Sequence, residues 1–195
     1  SIADMDGDGK QDLTITTSLV GLTVLRNTGS PGVINASTFA AGVDFATGPN
    51  AFPFVLGDID GDGKLDAAVP NADAYYVTLL RNTSSPGTVS FASQTLTITT
   101  GTPAVGGGTR ATVLGDIDGD NKLDLVVTTN TVNTVSLFRN TSTAGSISFD
   151  PKFDITLPIA FNTPRLSDLD GDGKIELIVD RTTTEISIYK NLSSA

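Results

Sequence analysis

A nine-residue acidic segment occurs four times without gaps: DMDGDGKQD at 4–12, DIDGDGKLD at 58–66, DIDGDNKLD at 116–124 and DLDGDGKIE at 168–176. Successive copies begin 54, 58 and 52 residues apart. A period of this length marks a stack of supersecondary units, each too short to bury a core by itself, and it constrains the fold more than any single residue does.

More of the unit repeats than the acidic segment. Each segment runs into an apolar or β-branched stretch: LTITT (13–17), LDAAV (65–69), LDLVV (123–127) and IELIV (175–179). A second stretch then closes on a basic residue and Asn: LTVLRN (22–27), VTLLRN (77–82), VSLFRN (135–140) and ISIYKN (186–191). STF, VSF and ISF follow, ending at Phe39, Phe91 and Phe149, while FVLGD (54–58), TVLGD (112–116) and RLSD (165–168) lead into the later segments. These runs are short, rich in Val, Ile, Thr and Leu, and bounded by Gly, Asn, Asp or Ser, which is the pattern of strands. No stretch keeps a 3.6-residue period with caps, so no helix is expected.

One unit therefore reads as strand, acidic loop, strand, turn, strand, turn, strand, with the fourth strand ending at the Phe. The fold expected is all-β, a β-propeller of four-stranded antiparallel blades, with repeats at approximately 1–52, 53–110, 111–162 and 163–195. The first and last repeats are incomplete, the last lacking its fourth strand. The near-continuous apolar runs of the second strands suit strands covered on both faces.

Carboxylates occupy positions 1, 3, 5 and 9 of every acidic segment, Gly or Asn holds position 6 and Lys holds position 7. Calcium takes six to eight oxygen ligands, and alternate side chains of a tight turn converge on one point. The expected ligands of the second copy are Asp58, Asp60 and Asp62, the backbone carbonyl of Lys64 with its ammonium pointing away, and Asp66 closing the site. The same assignment gives Asp4, Asp6, Asp8, Lys10 and Asp12 in the first copy, and Asp116, Asp118, Asp120, Lys122 and Asp124 in the third. In the fourth it gives Asp168, Asp170, Asp172, Lys174 and Glu176. Gly63 is expected at positive φ, and Asn121, in its place in the third copy, is the next most tolerant residue there. An EF-hand is excluded, because its twelfth position needs a carboxylate and its flanks are helices; here that position holds Ile15, Val69, Val127 and Val179. Zinc is disfavoured without His or Cys, and magnesium seldom uses an all-protein cage.

Composition agrees. Sixteen of the 22 acidic residues lie in these four loops, and four Ca²⁺ ions would take the net charge from −10 to −2. An acidic chain offers no basic face to nucleic acid. No apolar run approaches the length of a membrane span and no signal peptide is visible. With no His, no Cys and no nucleophile motif, and with its Asp pairs committed to the loops, the chain is not expected to be an enzyme.

Asn35, Asn82, Asn140 and Asn191 begin Asn-X-Ser/Thr triplets. Asn also recurs after the third strand at Asn27, where no acceptor hydroxyl follows, so a turn role is expected before glycosylation. Arg26, Arg81, Arg139 and Lys190 precede that Asn and are expected to be solvated strand ends. Tyr75 and Tyr76 are assigned to strand packing.

The loops with their flanks, GDIDGDGKLDAAV and GDIDGDNKLDLVV, resemble FG-GAP/VCBS-type repeats, which are related to the calcium-bearing blades of integrin α-subunit propellers. The resemblance covers essentially the whole chain. It implies a propeller, often seven-bladed, with calcium between the first two strands of a blade, in a secreted or surface protein that adheres or recognises. The family's Phe-Gly and Gly-Ala-Pro signatures are mostly eroded, VPN at 69–71 being the nearest relic; Gln11 replaces Leu or Ile in the first copy, and Glu176 closes the last. The function expected is a calcium-stabilised extracellular module for adhesion or recognition, with protein or glycan surface ligands and with further blades of the same chain or a second copy as partners. The alternatives are a glycan-binding lectin, an accessory module of a secreted polysaccharide-degrading enzyme, and a structural stalk.

Overall fold

The computed structural model describes residues 1–98, 107–129, 133–157, 163–180 and 185–193, and among these the regular structure is entirely β-strand. Blade 1 comprises β1 (Ile2–Ala3), β2 (Asp12–Thr17), β3 (Gly21–Leu25) and β4 (Val43–Phe45). Blade 2 comprises β5 (Val55–Gly57), β6 (Asp66–Pro70), β7 (Tyr76–Asn82) and β8 (Phe91–Thr97). Blade 3 comprises β9 (Thr109–Gly115), β10 (Asp124–Thr129), β11 (Thr134–Phe138) and β12 (Phe153–Thr156). Blade 4 contains β13 (Pro164–Ser167), β14 (Glu176–Asp180) and β15 (Ile186–Tyr189). Strands pair in chain order within each sheet, all antiparallel. This is the up-and-down meander of propeller blades, as the repeat predicts. No helix of the described residues is long and apolar enough to cross a membrane.

The fourth strands depart from expectation. Phe39 and Phe149 do not end them but form isolated bridges with Asn27 and Asn140, and the strands follow at β4 and β12. Between bridge and strand the register slips by one residue in blades 1 and 3. In blade 2 the pair Asn82↔Phe91 joins one unbroken ladder that begins, rather than ends, at the Phe. The broken copies carry Ala40–Gly42 and Asp150–Lys152 at the slip, and Pro151 cannot donate to a ladder.

The core lies between the sheets, in three clusters, one per blade seam. Met5, Leu22 and Val24 of blade 1 pack on Leu56, Ala67, Val69 and Leu80 of blade 2. Ile59, Val77 and Leu79 of blade 2 pack on Leu114, Leu125, Val127 and Phe138 of blade 3. Ile117, Val135 and Leu137 of blade 3 pack on Leu166, Leu177, Val179 and Tyr189 of blade 4. Successive side chains of a strand point to opposite faces, so Ala67 and Val69 belong to one seam and Ala68 to the next. β6 and β10 are buried along their whole length, which accounts for their continuous apolar sequences.

Glycines set the closest approaches. A Cβ on Gly108 would stand 2.2 Å from the Ala74 carbonyl oxygen and 2.6 Å from the Ala74 nitrogen, both backbone. On Gly57 it would meet only the δ1 methyls of Leu114 and Leu123, at 2.8 Å. Gly108→Ala is therefore expected to lower stability by about 2–4 kcal/mol and Gly57→Ala by about 1 kcal/mol. Denaturant midpoints of the two variants test the order.

Candidate metal centres

Each acidic loop joins the first two strands of its blade, so the four loops lie at the same edge of successive sheets. The backbone of the loop wraps its own carboxylates. In loop 1, Asp4 Oδ1 accepts from the N–H of Gly7 at 2.8 Å and Asp8 at 3.2 Å, and Oδ2 accepts from Gly9 at 2.8 Å. Asp6 Oδ1 accepts from the Asp8 N–H, and Asp8 Oδ1 from the Lys10 N–H. Asp58, Asp116 and Asp168 lead their loops with bonds to the same sixth-position N–H, from Gly63, Asn121 and Gly173. This wrapping needs two left-handed residues. Gly61 and Gly63 have φ of 74° and 87°, and Asn121 has φ of 65°. Nothing lies within 4 Å of a Cβ on Gly61 or Gly63, so backbone conformation and not space selects glycine there.

Three carboxylate oxygens converge in every loop, all within 4.8 Å of one another: Asp4, Asp6 and Asp8; Asp58, Asp60 and Asp62; Asp116, Asp118 and Asp124; Asp168, Asp170 and Glu176. Oxygens on opposite sides of one large divalent ion stand about 5 Å apart, so each trio fits around a single cation. The donors are all hard oxygens.

The ninth position is more than a ligand candidate. Asp66 Oδ2 accepts from the Ile59 N–H at 2.9 Å and Oδ1 from the Asn82 N–H at 2.7 Å. Asp12 and Asp124 repeat both bonds, and Glu176 repeats them with Leu169 and Asn191. This buried carboxylate ties the loop to the end of the third strand. Burial pushes the Asp66 carboxyl up to about 6 against the pull of these N–H groups, with the Asp60 charge adding to the rise. Burial likewise raises Asp12 and Asp124. A cation held in the loop would offset that penalty.

Lys64 Nζ donates to the Ser84 carbonyl at 2.8 Å and Lys122 Nζ to that of Ser142 at 3.0 Å, while Lys174 Nζ contacts the Ser193 carbonyl. The ammonium groups thus turn from the loop centre onto the turn after the third strand.

Arg139 and Lys190 are exposed, as expected of strand ends, whereas Arg26 and Arg81 are partly buried, and all four also lie against loop carboxylates. Arg26 and Arg81 lie 3.8 and 3.9 Å from the buried carboxylates of Asp6 and Asp60. Arg139 pairs directly with Asp118 and, at 3.2 Å, with Asp120. Lys190 pairs with Asp170 and, at 3.5 Å, with Asp172. Hydrogen bonds from Arg139 and Lys190 hold the carboxyls of Asp118 and Asp170 below the usual range. These pairs engage Asp120 and Asp172, and in loops 3 and 4 the ninth-position carboxylate completes the trio in place of the fifth.

The recurrent Asn does more than the turn role expected of it. Asn82 Oδ1 does make the turn, accepting from the Ser84 N–H at 2.8 Å. Its Nδ2 also donates to the Leu65 carbonyl at 3.0 Å and, across the seam, to the Met5 carbonyl of blade 1 at 2.9 Å. Asn140 reaches Ile59 and Asn191 reaches Ile117 in the same way. With their amides so engaged, and with both buried, Asn82 and Asn140 offer no acceptor nitrogen for a glycan in the folded chain. A second clamp runs from the same blade to the same neighbour, with a backbone donor and a side-chain acceptor: the N–H of Gly87 donates to Asp6 Oδ2 and that of Gly145 to Asp60 Oδ2, both at 2.9 Å. The recurrence of Asn and of the Gly turns was the available signal, but their partners lie 74–85 residues away in the chain.

No curated protein gives a significant match to the chain. A family model described as FG-GAP-like repeat matches residues 4–69 and 116–179. Each match starts at the first Asp of one loop and ends in the second strand of the next blade, so the matched unit contains a loop, a seam and the following loop. With the loops, the blades and these matches in agreement over most of its length, the chain belongs to the FG-GAP-like repeat family.

Proposed function

We propose that the chain is a calcium-binding propeller module of an extracellular protein, in which Ca²⁺ stiffens one rim and the blades present a recognition surface for adhesion. The observation that carries this reading is the fourfold recurrence of three converging carboxylate oxygens at the same edge of successive blades. Calcium suits a site of oxygens alone, and millimolar extracellular calcium fills even weak sites of this kind. Asp4, Asp58, Asp116 and Asp168 with their third-position partners would hold the ion, and it would supply charge neutralisation and cross-linking rather than catalysis. The family resemblance supports a secreted or surface setting and a recognition role.

Isothermal titration calorimetry is expected to find up to four Ca²⁺ per chain, falling by one in Asp58→Asn. No heat with calcium, or an unchanged stoichiometry in the variant, would reject the metal assignment. A glycan array run with calcium separates recognition of protein from recognition of sugar.

A further inference from the structure

Three of the four Asn-X-Ser triplets sit at the clamp position of the repeat, and one does not. Asn82, Asn140 and Asn191 each place both amide hydrogens on carbonyls, one in their own blade and one in the blade before. The Ser that completes each triplet is engaged as well, its N–H donating to the Asn Oδ1. The hydroxyls of Ser84 and Ser142 go on to the carbonyls of Ser90 and Ser148. In these three copies the triplet is a by-product of the clamp.

Asn35 lies outside the repeat. The stretch from the basic residue to the Phe spans 26–39 in blade 1 but only 81–91 and 139–149 in blades 2 and 3. The closing pair is kept, since the Thr38 carbonyl accepts from the Thr28 N–H as that of Ser90 does from Thr83 and that of Ser148 from Thr141. The extra length therefore falls between Gly32 and Thr38, where the triplet Asn35-Ala36-Ser37 stands. Here the chain turns back on itself. The Thr38 N–H donates to the Asn35 carbonyl at 3.1 Å, and the Asn35 N–H to the hydroxyl of the buried Thr38 at 2.8 Å. Asn35 Oδ1 accepts from the Ser37 N–H at 2.9 Å and from the Ser37 hydroxyl at 2.7 Å, while among the described residues Asn35 Nδ2 donates to nothing. Asn35, Ala36 and Ser37 are all exposed. That exposure does not depend on what precedes blade 1: the corresponding turns at 85–88 and 143–146 are exposed too, each with a blade packed in front of it.

We propose that Asn35 is the acceptor of an N-linked oligosaccharide, and that the folded chain carries a glycan at this triplet and at none of the other three. An acceptor needs a surface Asn with a hydroxyl two residues on, and this turn already gathers the Ser37 hydroxyl onto the Asn35 side chain with the amide nitrogen unengaged. In the transfer, Nδ2 attacks C1 of an oligosaccharide carried on a lipid pyrophosphate. The N–C1 bond forms, the C1–O bond to the pyrophosphate breaks, and the lipid pyrophosphate leaves with the electron pair. Nδ2 gives up one proton to a base of the transferase, and nothing is oxidised or reduced. The glycosylated amide keeps a single hydrogen, so it cannot serve a clamp that uses both. At Asn82 and Asn140 the sugar would also have to enter a buried seam. At Asn35 every bond of the turn survives, because Nδ2 contributes to none of them. The setting rests on the extracellular reading above, since only a chain on a secretory route meets the transferase; the choice of Asn35 rests on the geometry.

Secretion of the full chain from a eukaryotic host, behind a signal peptide of that host and with calcium in the medium, tests the choice of site. Because the host supplies the route, the result is independent of where the natural chain resides, and a failure here is distinct from a failure of the extracellular reading. Glycosidase release followed by peptide mapping of the secreted, protease-resistant protein is expected to find one glycan, on Asn35, and unmodified amides at Asn82, Asn140 and Asn191. Asn35→Gln is expected to lose the glycan completely, and Ser37→Ala to lose it with the Asn35 amide still present. An unmodified Asn35 in that fraction, a glycan on any of the other three, or a glycan on Asn35 that survives Ser37→Ala would overturn the proposal. If little chain leaves the cell, the same map on the protease-resistant chain retained inside reads the same four sites.

Discussion

Addition of about 2 mM Ca²⁺ is expected to raise the melting temperature by about 5–20 °C over the same protein in chelator. Extracellular calcium modules bind with Kd of about 10⁻⁴–10⁻³ M, which at this concentration stabilises the folded state by about 0.6–1.8 kcal/mol per site. Four sites in one cooperative unit then contribute about 3–7 kcal/mol. Loops 1 and 2 are each tied to the next blade, by the N–H groups of Gly87 and Gly145, so the gain is expected in a single transition rather than loop by loop. Superimposable melting curves with calcium and with EDTA would dispose of the metal assignment, whatever the fold.

Asn82→Ala is expected to cost about 3–5 kcal/mol and to lower the melting temperature by about 10 °C in chelator as well as in calcium. The substitution strips the Met5 and Leu65 carbonyls and the Ser84 N–H of their partner in a buried seam. Groups left unsatisfied in this way carry their full desolvation penalty. Asn27→Ala is the control, because Asn27 is only half-buried and makes no bond across a seam among the described residues. It should cost about 1 kcal/mol. Equal losses in the two variants would mean that the turn, and not the cross-blade clamp, is what the Asn supplies.

The contrast between these residues shows how far the sequence could be read. Loop chemistry is local: Asp58, Gly63 and Lys64 lie within seven residues of one another, and the spacing alone indicates a carboxylate cage with a left-handed residue at its turn. The strands beside it are equally legible, since β6 and β10 are buried on both faces and composed accordingly. Seam chemistry is not local. Asn82 announces itself by recurring, but a donor bound to a carbonyl 77 residues away cannot be told from a turn residue without the fold. Arg81 likewise reads as a strand end until folding brings it beside the buried Asp60 carboxylate. The start of the fourth strands is illegible for a different reason. Phe39 and Phe149 have strand composition and do pair, but the one-residue slip beyond them separates the bridge from the strand, and no residue pattern common to the two copies marks it.

The alternation along β6 has an evolutionary corollary. Ala67 and Val69 answer to the blade before, Ala68 to the blade after, so a substitution at any one of them alters a single joint. Duplicated units can therefore diverge seam by seam, each junction acquiring its own fit while its neighbours stay as inherited, and an array of this kind can lengthen without redesign of the blades it already has.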